Sequence, residues 1–170
     1  MTANLPFLLS ALVAVWATFM VVTRAVAIHA LLYLVVALLA LACVFDVLGA
    51  PFAAILEVIV YAGAIMVLFV FVVMMLNLGR PDSLRENTWI APRIWIGPGL
   101  LAALLLAALA DALVMAAPGG GRIAVIDTRQ VGLALYGPYV LMVELASFLL
   151  LAGLVSAFRI GRHIRDEDAP

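Results

Sequence analysis

The sequence predicts an all-α integral membrane protein with five transmembrane helices, and three observations predict it. Of the 170 residues, 68% are hydrophobic and 11% charged, with a mean hydropathy of +1.29. Soluble domains carry about 25% charged residues. The apolar residues fall in continuous runs, not in the alternating segments of about ten that a barrel would need. The longest run, Ala50 to Leu78, holds a single ionisable residue, Glu57. A hydrocarbon core of about 30 Å needs only ~20 helical residues, so this run crosses it with length to spare.

The first span is expected over residues 5–22, with Pro6 in its first turn, where a missing N–H costs little. No basic n-region precedes it, since Arg24 comes after the apolar run, so it reads as a retained span and not as a signal peptide. The short turn at Thr23-Arg24 leads to the second span, 26–48, with His29 near its start and Asp46 near its end. Gly49-Ala50-Pro51 breaks that helix and launches the third span, 50–78, because proline suits a helix start. The charged segment from Gly79 to Arg93 is expected as a loop, anchored at the interface by Trp89 and Trp95. A fourth span follows over 94–117, with Asp111 near its far end. A second loop, opened by Pro118 and Gly119 to Gly121, reaches to about Leu135. The fifth span is expected over 136–160, carrying Glu144. The whole of 1–160 reads as one transmembrane domain, with 161–170 as a polar tail.

Five spans place the termini on opposite sides. Seven of the nine Arg lie on the side holding the Thr23-Arg24 turn, the Gly79–Arg93 loop and the tail; only Arg122 and Arg129 lie on the other. The excess of basic residues on cytoplasmic loops then predicts an amino terminus outside and a carboxyl terminus in the cytoplasm.

With a net charge of −1 the chain offers no basic field for nucleic acid. It contains no phosphate-binding loop, nucleophile elbow or zinc-protease motif. The single cysteine, Cys43, can form no internal disulfide, and it reads as a small hydrophobe. His29 and His163 lack partners at a suitable depth for a haem or metal site. The carboxylates say more. Glu57 lies about seven residues and Glu144 about eight into a span that starts on the outer side, about 10–12 Å from that face at helical rise. A charge at such depth costs several kcal/mol, so each must face protein or water, as a functional group or as a hydrogen-bonded packing residue. Asp46 and Asp111 sit near span ends and read as solvated. Around Gly63, the run Ala62-Gly63-Ala64 after Tyr61 offers close approach to a neighbouring helix, or backbone latitude. Met66, Phe69 and the other large side chains of this span read first as packing.

The run EVIVYAGAIMVLFVFVVMML, Glu57 to Leu76, resembles the third-helix signature of subunit J of bacterial NADH:quinone oxidoreductase, the family of chain 6 of mitochondrial respiratory complex I. AIHALLYLVVALLALACVFDVLGAPFAAIL resembles that family's second helix and its connection, and YGPYVLMVELASFLLLAGLVSAFRIGR its fifth helix. The chain departs from the usual pattern at Ala27-Ile28-His29 and at Met142-Val143. Together these stretches cover about half the sequence.

The resemblance implies a membrane-arm subunit in a bacterial inner (plasma) membrane. It implies that flavin mononucleotide, iron–sulfur clusters and quinone belong to partner subunits, and that this chain binds none of them and no metal. Its implied partners are the small helical subunits, the quinone-site subunit and the antiporter-like subunits. It further implies that the third helix can carry a π-bulge near Tyr61 and Gly63, whose conversion to regular helix opens and closes a hydrated path. On that reading the gating and proton-path residues are Glu57, Tyr61, Gly63, Met66, Phe69 and Glu144. A purely structural subunit of the same arm, a subunit of a related cation antiporter or membrane hydrogenase complex, and a small independent transporter stand as alternatives.

Overall fold

Five helices in the structure, a computed structural model, are long and apolar enough to cross a membrane, and all regular structure in the described residues is helical. The described residues are 5–76, 92–115 and 125–167. They form α1 (Leu5–Thr23), α2 (Ala27–Val47), α3 (Pro51–Leu56), a π-helical segment (Glu57–Ile65), α4 (Met66–Leu76), α5 (Pro92–Met115), α6 (Thr128–Leu135) and α7 (Val140–Glu167). The third span comprises α3, the π segment and most of α4. The chain divides into two compact units, Met1–Ile126 and Asp127–Pro170.

In the first unit, α1, α2 and α5 meet along one seam. Val13 and Ala17 of α1, Tyr33, Val36, Ala37 and Ala40 of α2, and Leu101 and Leu105 of α5 form the buried cluster. The small side chains of Ala17, Ala37 and Ala40 allow close helix approach, the usual solution where lipid supplies no hydrophobic drive between helices. Hydroxyls inside the apolar helices are satisfied within their own helix. Ser10 donates to the Pro6 carbonyl, and Thr18 donates to the Ala14 carbonyl at 2.8 Å.

The turn from α2 to α3 has a clear backbone cause. The Gly49 N–H donates to the Asp46 carbonyl and the Ala50 N–H to the Phe45 carbonyl, both at 2.9 Å, with Gly49 at φ 84°. This is the Schellman arrangement, which closes a helix through a left-handed residue that glycine adopts without steric cost. Pro51 then opens α3, where its missing N–H is no loss. The Gly49 carbonyl accepts from the Ile126 N–H at 2.9 Å, tying the chain after α5 to this corner.

The first two spans match their expected bounds within one residue. The fourth, expected over 94–117, is helical from Pro92 to Met115 in the described residues. Residues 77–91 and 116–124 lie outside the described residues, and with them most of the first expected loop, including Trp89, and the start of the second. In the second unit, Thr128–Leu135 was expected as loop and is instead a short amphipathic helix. The fifth span begins at Val140 and not at Tyr136, because Gly137-Pro138 holds a turn first. The Tyr139 N–H reaches the Ala134 carbonyl at 3.1 Å, and a Cβ at Gly137 would stand 2.7 Å from the Leu133 carbonyl oxygen. At the other end α7 continues to Glu167, through most of the expected tail. No proline interrupts it before Pro170, and its basic residues suit a helix carboxyl end.

Candidate functional site

The third span changes its winding in the middle. Up to Leu56 the bonds are those of an α-helix, and the Glu57 N–H is shared between the Ala53 and Ala54 carbonyls. From Glu57 to Ile65 the winding is π-helical, and the Met66 N–H points back five residues to the Tyr61 carbonyl as well as to Gly63. After Met66 the chain is α-helical again. π-winding is rare, occurs mostly as short interruptions of α-helices, and is frequent at functional sites. Where the register returns from five-residue to four-residue bonding, the ladder is offset by one residue, so a carbonyl at the junction loses its regular partner.

The local sequence accommodates this winding. Ala62-Gly63-Ala64 has little side-chain bulk, and a Cβ at Gly63 would stand 3.2 Å from the Val58 carbonyl oxygen. That is tight even for alanine, so the glycine gives the wider turn its clearance. Around it, Val58, Ile59 and Val60 hold β-branched side chains, which have lower helix propensity than straight ones.

Four of the six residues singled out in the sequence lie in or beside this segment. Glu57 is its first residue and is only 7% exposed. Its Oε1 meets no hydrogen-bond donor among the described residues. Such an acceptor costs about 1–3 kcal/mol, more if charged, until a donor reaches it. Tyr61 is 51% exposed and faces away from the packed seam, whereas Met66, at the carboxyl end of the segment, is 2% exposed. Phe69 lies one turn into α4 and is exposed. The segment therefore has a buried side, carrying Glu57 and Met66, and an outward side, carrying Tyr61. Glu144 belongs to the other unit and is exposed on α7, where Ser147 three residues on donates to the Val143 carbonyl at 3.0 Å.

Some groups sit differently from their expected positions. Asp111 was expected in water; it is half-buried, and its Oδ2 meets no donor among the described residues. Asp46 is exposed, as its place at a span end predicts. His29 is half-buried with Nε2 unpartnered among the described residues, and Cys43 is half-buried and free. Among the described residues no group of three or more His, Cys, Asp or Glu converges as a metal site would require. One cluster went unsignalled: Arg24 lies over the Tyr33 ring, 5.3 Å from its centroid, and its Nη2 is 3.5 Å from the Tyr33 hydroxyl.

Residues 17–160 match the family NADH-ubiquinone/plastoquinone oxidoreductase chain 6. The chain is 55% identical over 157 residues to NADH-quinone oxidoreductase subunit J of Pseudomonas aeruginosa, covering 92% of this chain and 95% of that one. It is 53% identical over 159 residues to the subunit J of Escherichia coli, covering 94% and 86%. With the subunit J of Buchnera aphidicola subsp. Schizaphis graminum the identity is 44% over 156 residues, covering 92% and 96%.

Proposed function

The chain belongs to the NADH-ubiquinone/plastoquinone oxidoreductase chain 6 family, as a membrane-arm subunit of NADH-quinone oxidoreductase, and from that premise we propose that its third span gates proton movement. In this reading quinone reduction happens on partner chains, which hold the flavin mononucleotide, the iron–sulfur clusters and the quinone. The third span passes between two backbone windings, and the change opens or closes a hydrated path beside Glu57, Tyr61, Gly63, Met66 and Phe69. Glu144 of the fifth span is proposed as a further proton-path residue.

One observation carries the reading: the π-wound stretch Glu57–Ile65 interrupts an otherwise α-helical span and begins at a buried carboxylate whose Oε1 has no donor among the described residues. Converting it to α-helix turns the residues beyond it relative to those before it. Tyr61 and Met66 then exchange neighbours, and the carbonyl freed at the junction regains its bond. Both the carboxylate and that carbonyl can order water in one winding and lose it in the other. We place the chain in the bacterial inner membrane, amino terminus outside and carboxyl terminus in the cytoplasm, against the small helical, quinone-site and antiporter-like subunits.

The test compares Gly63→Val and Gly63→Leu with the wild type in fully assembled complex. A bulkier residue 63 is expected to lower protons moved per quinone reduced more than it lowers assembly. Unchanged coupling in assembled complex would end the gating reading, and losses of assembly and activity in equal proportion would leave a structural subunit.

A further inference from the structure

Trp16 lies where a bilayer offers its N–H nothing. It belongs to α1 (Leu5–Thr23), two residues past the centre of that span at Ala14. At helical rise its Cα is about 3 Å from the middle of the membrane, whereas tryptophan concentrates at the two interfaces. The side chain does not reach back to either. Helical side chains lean towards the amino end of their helix, which carries the indole across the middle, and each headgroup layer is about 15 Å from there. Trp16 is 51% exposed and sits beside the seam, one residue before the buried Ala17, with its ring centroid 6.0 Å from that of Phe19. The hydroxyls of α1 are satisfied within the helix: Ser10 donates to the Pro6 carbonyl, Thr18 to that of Ala14 and Thr23 to that of Phe19. The Trp16 Nε1–H donates to no acceptor among the described residues.

We propose that Trp16 anchors a transmembrane helix of another NADH-quinone oxidoreductase subunit, which presents a hydroxyl, amide or carboxylate acceptor to its Nε1–H at mid-membrane depth. The donor chooses protein over lipid. Phosphate and ester oxygens lie at the interface, beyond the indole, and an acyl tail has no acceptor, so facing lipid leaves the hydrogen bond unmade. Spacing chooses a helix. Leu12, Trp16 and Phe19, all more than half exposed, recur at i, i+4 and i+7, the ridge against which a neighbouring helix packs. An aromatic ring with one polar atom is also the kind of side chain that dominates protein interfaces. This contact needs only membership of the complex and stands apart from the gating reading.

The experiment uses the intact complex in membranes and has two arms. In the first, the photoactivatable residue p-benzoylphenylalanine replaces Phe19, which leaves Trp16 in place, and the products of illumination are identified by mass spectrometry. A covalent product with a membrane span of another subunit is expected. Products with lipid alone, or with another span of this chain, overturn the proposal. In the second, Trp16 is replaced by β-(3-benzothienyl)alanine, which keeps the ring shape and puts sulfur where the N–H was. The fraction of complex that loses this chain in a graded detergent challenge is expected to rise about two- to tenfold, the range of one net hydrogen bond. Removing an unpaired donor is instead neutral or stabilising, so an unchanged or smaller loss overturns the acceptor, even where the first arm finds a partner helix.

Discussion

The hydroxyl of Tyr33 occupies the place where a side chain on Gly97 would begin. A Cβ built at Gly97 overlaps it and stands 3.1 Å from the ring carbon that bears it. Tyr33 is buried in the seam of α1, α2 and α5, and Arg24 covers its face. The glycine thus sets how closely α5 approaches α2 near the start of α5. Gly97→Ala forces the ring out of its seat, at about 1–3 kcal/mol for an overpacked core. The expected outcome is a lower temperature of half-inactivation for the assembled complex. Tyr33→Phe, which removes the colliding atom, is expected to recover most of the loss in the double variant. Additive losses would show that the two residues do not meet.

Gly49 ends α2 in the left-handed region, and the two bonds of the corner depend on it. Gly49→Ala is expected to cost about 1–2 kcal/mol, because an L side chain there meets the following carbonyl. Gly49→Asn is expected to cost less, since asparagine tolerates that region. The check is the yield of assembled complex from cells expressing each variant, which should fall in the order wild type, Asn, Ala.

Much of this architecture was legible in letters. Gly49 and Pro51 punctuate the apolar runs, so the first two spans and the start of the third follow from local chemistry. The glycine-centred stretch around Gly63 was legible as a place of latitude, but not the winding. Which carbonyl the Met66 N–H meets depends on backbone register along the whole π segment, and no side chain encodes it alone. Burial was hidden for another reason. Glu57 and Met66 lie on the inner side of the span only because α2 covers that side, a non-local fact. The Tyr33–Gly97 contact, between residues far apart in the chain, is of the same kind. Thr128–Leu135 was missed because two turns give too short a pattern to separate from a loop.

The Arg distribution predicts where the chain ends. A cysteine introduced after Arg165 is expected to react with a membrane-impermeant maleimide in inside-out vesicles and not in right-side-out ones. The native thiol adds little background, because Cys43 is half-buried inside α2. Labelling with the opposite sidedness would reverse the orientation and place Glu57 near the cytoplasmic face.

Gly63→Ala separates winding from bulk. An alanine Cβ would stand 3.2 Å from the Val58 carbonyl oxygen in the π winding. That tight contact shifts the balance of the two windings towards α-helix. The expected result is slower backbone amide exchange over Glu57–Ile65, with protons moved per quinone reduced lowered and assembly unchanged. Amide exchange identical to wild type would mean that the winding is fixed by partners and not by this residue.

Glu57 sets apart chemistry and packing. Its buried Oε1, without a donor among the described residues, makes the carboxyl group a cost to folding that an apolar residue of similar length avoids. Replacing an unsatisfied buried polar group by an apolar one is often neutral or stabilising. Glu57→Leu is therefore expected to assemble at least as well as wild type and to lose proton movement, while Glu57→Gln, which keeps the shape but does not titrate, loses proton movement with the same assembly. Quinone reduction uncoupled from proton movement, measured in vesicles with a pH-sensitive dye, is the signature of a proton-handling group. If instead Glu57→Leu fails to assemble while Glu57→Gln assembles and pumps normally, the oxygen accepts a hydrogen bond from a partner subunit, and the carboxylate's role is to hold two chains together.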